Sequence, residues 1–574
     1  MAATPRWLRW LPASEWLSGY TRQDASGDAL AALIVTILLV PQGLAYAQLA
    51  GMPPVTGLYA SMLPLILYGL FASSRALAVG PAALTSLITL SAAGSLARGD
   101  SATFMAAAMV LAILSGALLV LMAVLRMGWL TNLLSHPVIV GFISGCGLLI
   151  ATSQLPHMLG INVAAHDFIG LWQGLLTEWP RWQSTTVVMA GLALACLLLP
   201  RWLGTQLQKR TRWRETGKLL GKLGPLVAVA LTTLISAAAQ LNHHGLAVVG
   251  TLPAGLPALT LPSLPLQHWL DLAGPAALLA LIGFVESITL AQALAARKRQ
   301  RIRPNRELMG LGLANVISGL SGAFAVTGSF SRSTVSQDSG ARTPLTGILA
   351  AAGIALVALC FTRAFFYLPQ ATLAAIIVVA VLPLVELGEL KHLWRFSRAD
   401  SLAMAATLLG VLTISVQAGL IIGVTLSLAL FLWRTSQPHV AEVGRVPGTQ
   451  HFRNVQRHEV EVSAHVLAMR VDESVWFGNA RQLEDLIYDS AMQRPQVRQV
   501  IVQCSAINHL DASAVDSLKS LNDRLAHAGV VLNLSEVKGP VMDLLKRTEI
   551  PEQLTGQIFL SHHQAMETLA AESP

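Results

Sequence analysis

Long apolar runs, separated by short polar or glycine- and proline-containing breaks, fill about the first three quarters of the chain, and the pattern changes only towards its end. A helix that crosses a bilayer needs about 20 predominantly apolar residues. Apolar segments lie at 29–50, 55–72, 79–96, 104–125, 133–155, 185–199, 223–241, 272–295, 308–322, 329–339, 344–361, 369–387, 401–417 and 418–433. The pattern therefore predicts an α-helical polytopic membrane protein of roughly fourteen segments. Several of these are too short to cross alone. The run 329–339 reads as a half-helix, which is tolerated at membrane depth only where protein or a cavity surrounds it. From about residue 459 the period shortens. VEVSAHVLAMRV and VRQVIVQC read as strands and 518–527 as a helix with a solvated face, which together indicate a small α/β domain. The expected organisation is an N-terminal segment 1–27, a membrane domain 28–436 and a soluble domain 437–574.

Composition sharpens this picture. Only 12% of the 574 residues are charged and 53% are hydrophobic, against about 25% charged in a soluble protein. The net charge of +8 comes from clusters between apolar runs rather than from a basic, aromatic surface, so nucleic acid is not an expected partner. Arg201, Lys209, Arg210, Arg212, Arg214, Lys218 and Lys222 are expected in one loop. Arg297, Lys298, Arg299, Arg301, Arg303 and Arg306 are expected in a second, and Lys391, Arg395 and Arg398 in a third. By the span order all three lie on the side of both termini, while 242–268 holds no Lys or Arg. That asymmetry predicts cytoplasmic termini. The start, MAATPRWLRWLPASEWL, has no compact apolar run before a cleavage site and is expected to form an interfacial helix. Four scattered cysteines (Cys146, Cys196, Cys360, Cys504) suggest neither a disulfide framework nor a metal site. No nucleophile elbow, P-loop or metal-ligand cluster is present, so neither an enzyme nor a cofactor is expected.

Two stretches look alike: Ala78-Val79-Gly80-Pro81-Ala82-Ala83 and Ala325-Val326-Thr327-Gly328-Ser329-Phe330. Each is a short extended piece, a glycine and a helix start, with Pro81 suited to a first helical position and Ser329 to an N-cap. Each falls at the third span if the chain divides into two sets of seven. Interrupted segments at matching positions point to a transporter binding site. Helix starts present unbonded N–H groups and partial positive charge, which favours an anion. Arg332, one turn into the second half-helix, adds a full charge, and Ser329, Ser331 and Ser333 add hydroxyls. A plain kink at Gly80-Pro81 and ordinary packing serines are the structural alternative. A charge at membrane depth is costly, which favours a substrate role for Arg332. Glu286 is the lone carboxylate of its span, on a face with Gly283 and Thr289. It reads as a proton carrier, or as a structural partner for a nearby donor. Gln42 and Tyr46, one turn apart after Pro41, either line the site or pack as polar groups.

The run from Asp28 to Leu87, together with GSFSRSTVSQDSGARTPLTG from Gly328 and LPQATLAAIIVVAVLPLVEL from Leu368, resembles the SulP family of anion transporters, bacterial relatives of prestin. The resemblance implies seven-plus-seven inverted repeats arranged as core and gate, similar to uracil permeases, and a homodimer in the bacterial inner membrane. It also implies a site between the third and tenth segments. By motif match it puts Gln42, Tyr46, Ser331 and Arg332 on substrate positions. Ala82 stands where some animal members carry Phe, and Glu286 where proton-coupled bacterial members carry Glu. VWFGNARQLEDLI and INHLDASAVDSLKSL resemble the STAS domain that ends most such proteins. There Ser513 matches a serine phosphorylated in anti-sigma-antagonist relatives, although Ala512 and Ala514 depart from the fuller motif. The alternative is that Ser513 caps the helix that starts there.

The expected function is therefore proton symport of a small anion by alternating access. Sulfate leads, because a compact dianion suits two helix ends and one Arg and because the resemblance makes it common. The site chemistry also fits bicarbonate, chloride or a C4-dicarboxylate such as fumarate. An uncoupled anion exchanger or channel, or a membrane-tethered regulatory protein, are the competing classes.

Overall fold

The computed structural model describes residues 13–571 except 18, 98, 133–134, 164, 166, 209–213 and 298–299; some helical side chains, that of Ser331 among them, also lie outside the described residues. Most of the interfacial helix expected at the start falls outside that range. The chain forms two compact units, Met1–Ser427 and Leu428–Pro574. Seven helices among the described residues are long and apolar enough to cross a membrane, with four shorter apolar helices beside them.

In the first unit the principal elements are α1 (Arg22–Leu49), α2 (Leu63–Phe71), β1 (Val79–Gly80), α3 (Ala83–Ala97), α4 (Ser101–Val124), α5 (His136–Leu159), α6 (Ser184–Gln208), α7 (Arg214–Ala238), α8 (Ala273–Arg297) and α9 (Pro304–Leu320). They continue with β2 (Thr327–Gly328), α10 (Phe330–Asp338), α11 (Leu345–Cys360), α12 (Gln370–Val381), α13 (Leu387–Phe396), α14 (Arg398–Thr413) and α15 (Val416–Ser436), the last of which runs on past Ser427 into the second unit. Two sets of helices pack mainly among themselves. One joins α4, α8 and α9 with α2, and α1 with α11; the other joins α6 with α7, and α5 with α12 and α14. Glycine permits close contacts within these sets. A Cβ on Gly312 would stand 2.8 Å from the Gly116 carbonyl oxygen, and one on Gly116 2.6 Å from that of Gly312. Small residues let helix backbones touch where lipid supplies no hydrophobic drive. The run 329–339 is the nine-residue helix α10. α1 continues through Pro41 without interruption.

The basic clusters differ from the expected loops. Arg201 lies on α6, Arg214, Lys218 and Lys222 on α7, Lys391 and Arg395 on α13, and Arg398 opens α14. Lys209, Arg210, Arg212, Lys298 and Arg299 lie outside the described residues. Lys and Arg are good helix formers, so a helix can run on through them; Arg201, Lys391, Arg395 and Arg398 are exposed.

Two buried carboxylates fasten the loops that flank the short helices. Asp28 on α1 accepts from Arg342 N (2.7 Å), Thr343 N (3.1 Å), Thr343 Oγ1 (2.5 Å) and Thr346 Oγ1 (2.9 Å). Glu307, in the first turn of α9, accepts from Tyr68 Oη (2.5 Å), Ser73 N and Ser74 N (each 2.8 Å) and Ser73 Oγ (2.6 Å). Both carboxylates are fully buried. The loops thereby satisfy backbone N–H groups that water cannot reach.

The second unit is a six-stranded sheet in the order β4-β3-β5-β6-β7-β8. Its strands are β3 (Val440–Arg445), β4 (Phe452–Asn454), β5 (Val466–Val471), β6 (Gln499–Gln503), β7 (Val531–Ser535) and β8 (Ile558–Phe559). β5 to β8 run parallel, and β3 is antiparallel to both of its neighbours. Helices α16 (Ala480–Met492), α17 (Ala512–His527), α18 (Gly539–Leu545) and α19 (His562–Ala571) accompany them. One sheet face packs Leu467, Val500 and Leu532 against Ile487, Leu521 and Leu525; the other packs Ile501 and Phe559 against Ala565 and Leu569. Parallel strands covered on both faces read as near-continuous apolar runs.

His562, at the start of α19, is fully buried. Its Nδ1 lies 2.8 Å from Ser535 Oγ, and its main-chain N–H donates to Glu536 Oε1 (3.2 Å). Burial pushes its pKa from 6.5 down to about 4, against the opposing pull of Glu536.

Two outcomes are expected. Below pH 6.5 the unfolded chain takes up a proton that folded His562 resists down to about pH 4, so the second unit loses about 3 kcal/mol across that window. Limited proteolysis of the full-length protein during thermal melts should show this fall, and His562→Gln should flatten it. In the first unit, Glu307→Ala strands several buried donors and should cost about 2–3 kcal/mol, lowering the melting temperature in detergent by several degrees. Glu307→Gln, which keeps an acceptor oxygen, should cost less.

Candidate functional site

The two interrupted segments meet. β1 and β2 pair antiparallel, with Val79 opposite Gly328 and Gly80 opposite Thr327. The pairing extends beyond the strands: Ser329 N donates to the Ala78 carbonyl (3.1 Å), and Ala78 N donates to Ser333 Oγ (2.8 Å). Local sequence explains the extended geometry. Proline disfavours the helical region in the residue before it, so Pro81 keeps Gly80 extended. Gly80 adopts φ +156°, and a Cβ there would lie 3.4 Å from Arg332 Nη2. A larger residue would therefore meet both a strained backbone and the guanidinium.

Past each strand a short helix begins. Ser86 N donates to the Ala82 carbonyl (3.0 Å), which makes buried Ala82 the cap of α3 and leaves Pro81 just outside it. The expectation that Pro81 opens the helix is corrected by one step, because the chain uses the proline to turn out of β1. Ser329 is the N-cap of α10, but its side chain makes no capping hydrogen bond. The first-turn N–H groups of both helices have no acceptor within their own helix. The side chain of Ser331 lies outside the described residues.

Arg332 lies between these two starts. It is 1% exposed and donates from Nη1 to the Pro81 carbonyl (2.5 Å), while Nε and Nη2 have no partner. Around it stand other sequence-derived candidates. Tyr46 is buried, and Glu286 is half-buried with Oε2 unpartnered; Gln42, one turn before Tyr46 on α1, is buried with Oε1 unpartnered and is joined to Arg332 by no hydrogen bond. Tyr46, Glu286 and Arg332 lie within electrostatic range of one another. Gly328 is buried in β2, with Leu77 Cδ1 at 2.8 Å from the place of a Cβ. The structure thus brings Gly80, Pro81, Ala82, Gly328, Ser329 and Arg332 together at one crossover, with Tyr46 and Glu286 in range of Arg332.

Sequence reasoning missed the residues that support this crossover. Asn315 on α9 donates to the Val326 carbonyl (3.0 Å) and accepts from Val326 N (2.9 Å), acting as a substitute strand edge. Ser318 donates to the Phe324 carbonyl (2.5 Å). Ser287 on α8 accepts from Gly328 N (3.0 Å) and contacts Thr327 Oγ1 (2.8 Å), and Thr327 donates to the Gly283 carbonyl (3.0 Å). Gly283 therefore faces β2, and Thr289 is exposed. The small, polar face expected beside Glu286 is in fact the Gly283–Ser287 pair, one turn apart. A glycine and a serine at that spacing, and an asparagine inside an apolar helix, were the available signals.

Ser513 is exposed near the start of α17. It does not cap that helix, because Asp511 does, accepting from Ala514 N (2.9 Å) while its other oxygen accepts from Phe477 N (2.8 Å).

Comparison with known proteins agrees with this architecture. Residues 26–407 match the model of the sulfate permease family, and residues 457–565 match that of the STAS domain. The chain is 33% identical over 574 residues to the chloroplastic sulfate transporter 4.1 of Arabidopsis thaliana, covering 98% of this chain and 82% of that one. It is 31% identical over 549 residues to a protein named "Probable sulfate transporter Rv1739c" from Mycobacterium tuberculosis, covering 95% of each. Among solved structures, the murine Slc26a9 anion transporter in its inward-facing state superposes with a TM-score of 0.89 at 20% identity, covering 100% of this chain and 96% of that one. The transmembrane domain of the cyanobacterial bicarbonate transporter BicA gives 0.60 at 23% identity, covering 71% of this chain and 98% of that one. With paired broken helices in a polytopic unit and a C-terminal α/β sheet, the chain belongs to the sulfate permease family of anion transporters and carries a STAS domain.

Proposed function

We propose that this protein carries sulfate across the bacterial inner membrane by proton symport, as a homodimer with both termini cytoplasmic. The observation that carries the reading is the pairing of Val79–Gly80 with Thr327–Gly328. It brings two helix starts to one point, where aligned N–H groups favour negative charge. Arg332 beside them keeps two buried nitrogens unpartnered, and an anion would satisfy both. The names of the sulfate-transporting relatives support sulfate among the anions this geometry suits. The basic residues near 201–222, 297–306 and 391–398 support cytoplasmic termini.

Glu286 supports proton coupling. Its unpartnered oxygen lies within electrostatic range of Arg332. With the anion at Arg332, a proton on Glu286 removes the repulsion between two negative groups in a poorly screened site. Proton and anion then favour each other's binding, as reciprocal coupling requires. Movement of the α1/α11 and α2/α4/α8/α9 set against the α5/α6/α7/α12/α14 set would expose the crossover to each side in turn.

Two measurements test this. In a thermal-shift and uptake screen with sulfate, bicarbonate, chloride and fumarate, sulfate should stabilise and be taken up by the wild-type protein. Arg332→Ala should weaken that response at least about tenfold. A response to another anion, lost in the same variant, would keep the site and replace the substrate. In proteoliposomes, Glu286→Gln should retain sulfate movement down its own gradient and lose acceleration by an inward proton gradient. Uptake that stays fully proton-driven in that variant rules out the proton role.

A further inference from the structure

The helix that carries Glu286 is joined to the crossover by a directed chain of hydroxyls. Gly328 N–H donates to Ser287 Oγ, and the Thr327 hydroxyl donates to the Gly283 carbonyl. With the Thr327 proton committed, the 2.8 Å contact between Ser287 Oγ and Thr327 Oγ1 has one sense: Ser287 donates and Thr327 accepts. The sequence runs amide, serine, threonine, carbonyl, and every proton in it is used. In such a chain each bond polarises the next. Both side chains are fully buried. Ser287 directly follows Glu286 on α8, and Thr327 and Gly328 lead through the Ser329 cap to Arg332 on α10. One linkage thus ties the carboxyl-bearing helix to the guanidinium-bearing one.

We propose that Ser287 and Thr327 are positioning residues for coupling: they hold α8 in register with β2, so that the Glu286 carboxyl and the anion at Arg332 sense each other's charge. The inference rests on the proton-symport reading above. Coulomb interaction falls with separation, and in a poorly screened site small displacements change it most. Three titratable groups lie within electrostatic range of Glu286: Arg332 from α10, Tyr46 from α1 and Cys146 from α5. α3, α4 and β2 also pack on α8 and carry no titratable side chain; α9 packs there too, with Arg306 and Glu307 in its first turn, where Glu307 is already bonded to Tyr68, Ser73 and Ser74, and so does the helix Leu266–Asp271, with His268 and Asp271. Arg332 is therefore the fixed charge whose distance to Glu286 matters, and the hydroxyl chain sets that distance. In the proposed site the anion would meet the N–H groups at the starts of α3 and α10 and the Arg332 guanidinium. They include neither hydroxyl, so breaking the chain should separate anion binding from its proton dependence.

The test uses full-length protein with radiolabelled sulfate. For wild type, Ser287→Ala, Thr327→Val, Thr327→Ser, the Ser287→Ala/Thr327→Val pair and Glu286→Gln, sulfate affinity is measured in detergent at one pH. Initial uptake in proteoliposomes is measured against pH, and melting temperatures identify folded samples. Ser287→Ala and Thr327→Val should shift affinity by less than about threefold while stimulation by an inward proton gradient drops about tenfold. Thr327→Ser keeps the hydroxyl and should retain the wild-type pH profile. The double variant should be no worse than the poorer single one, because both remove the same chain. Wild-type pH profiles in Ser287→Ala and Thr327→Val, beside a flat profile in Glu286→Gln, would overturn this inference alone. Affinity and pH response falling in parallel would also overturn it, marking the hydroxyls as general supports of the site. A wild-type profile in Glu286→Gln would overturn the symport reading and this inference together.

Discussion

A backbone amide inside a bilayer must find a partner within the protein, and this requirement governs the first unit. Breaking two helices at membrane depth leaves unbonded N–H and C=O groups at the end of each. Here the two breaks answer each other: β1 supplies acceptors and donors to β2, and the flanking residues Ala78, Ser329 and Ser333 continue the exchange. Neither break can close its own hydrogen bonds. Two strands of two residues each would be negligible in water, but in a site without competing solvent they fix the relative position of two helices.

What pairing leaves over, neighbouring side chains satisfy. Asn315 bonds both polar groups of Val326, Ser318 takes the Phe324 carbonyl, and Ser287 takes the Gly328 amide. Asp28 and Glu307 do the same for the loops beyond. Each is a polar helix residue whose hydrogen bonds go wholly or partly to backbone of another segment. Glu286 and Arg332 differ, because Glu286 Oε2 and Arg332 Nε and Nη2 have no partner. Among the described residues these three are the buried Asp, Glu, Lys or Arg side-chain atoms left without a partner, so the unspent formal charge gathers where a ligand would sit.

This division also explains what could be read in advance. Gly80-Pro81 and Gly328-Ser329 were legible because breakers inside apolar runs carry a local meaning. Arg332 and Glu286 were legible because charge there is rare. The α/β sheet was legible from the change of period near residue 459. The partners were not: Glu307 meets Tyr68 across 239 positions and Asp28 meets Thr343 across 315. No local pattern connects residues so far apart, and a serine that caps a distant loop looks the same as one that packs. The basic clusters misled for a related reason. Their charge reports the polar boundary, whereas helix or loop depends on how far the backbone can continue past it.

At the proposed anion site a buried guanidinium meets the same requirement. Arg332 makes one hydrogen bond, to a carbonyl next to the start of α3, and lies against Gly80, where a side chain would crowd it. An isolated charge in such surroundings is expensive, and a partner of opposite sign recovers part of that cost only when its geometry is good. Two helix starts fixed by β1 and β2 provide that geometry before any ligand arrives, so binding need not order them. An anion bound there would replace missing hydrogen bonds rather than compete with existing ones. Rigid backbone pairing and unpartnered charge are thus one arrangement, and loosening the pairing would weaken the reason for keeping the charge.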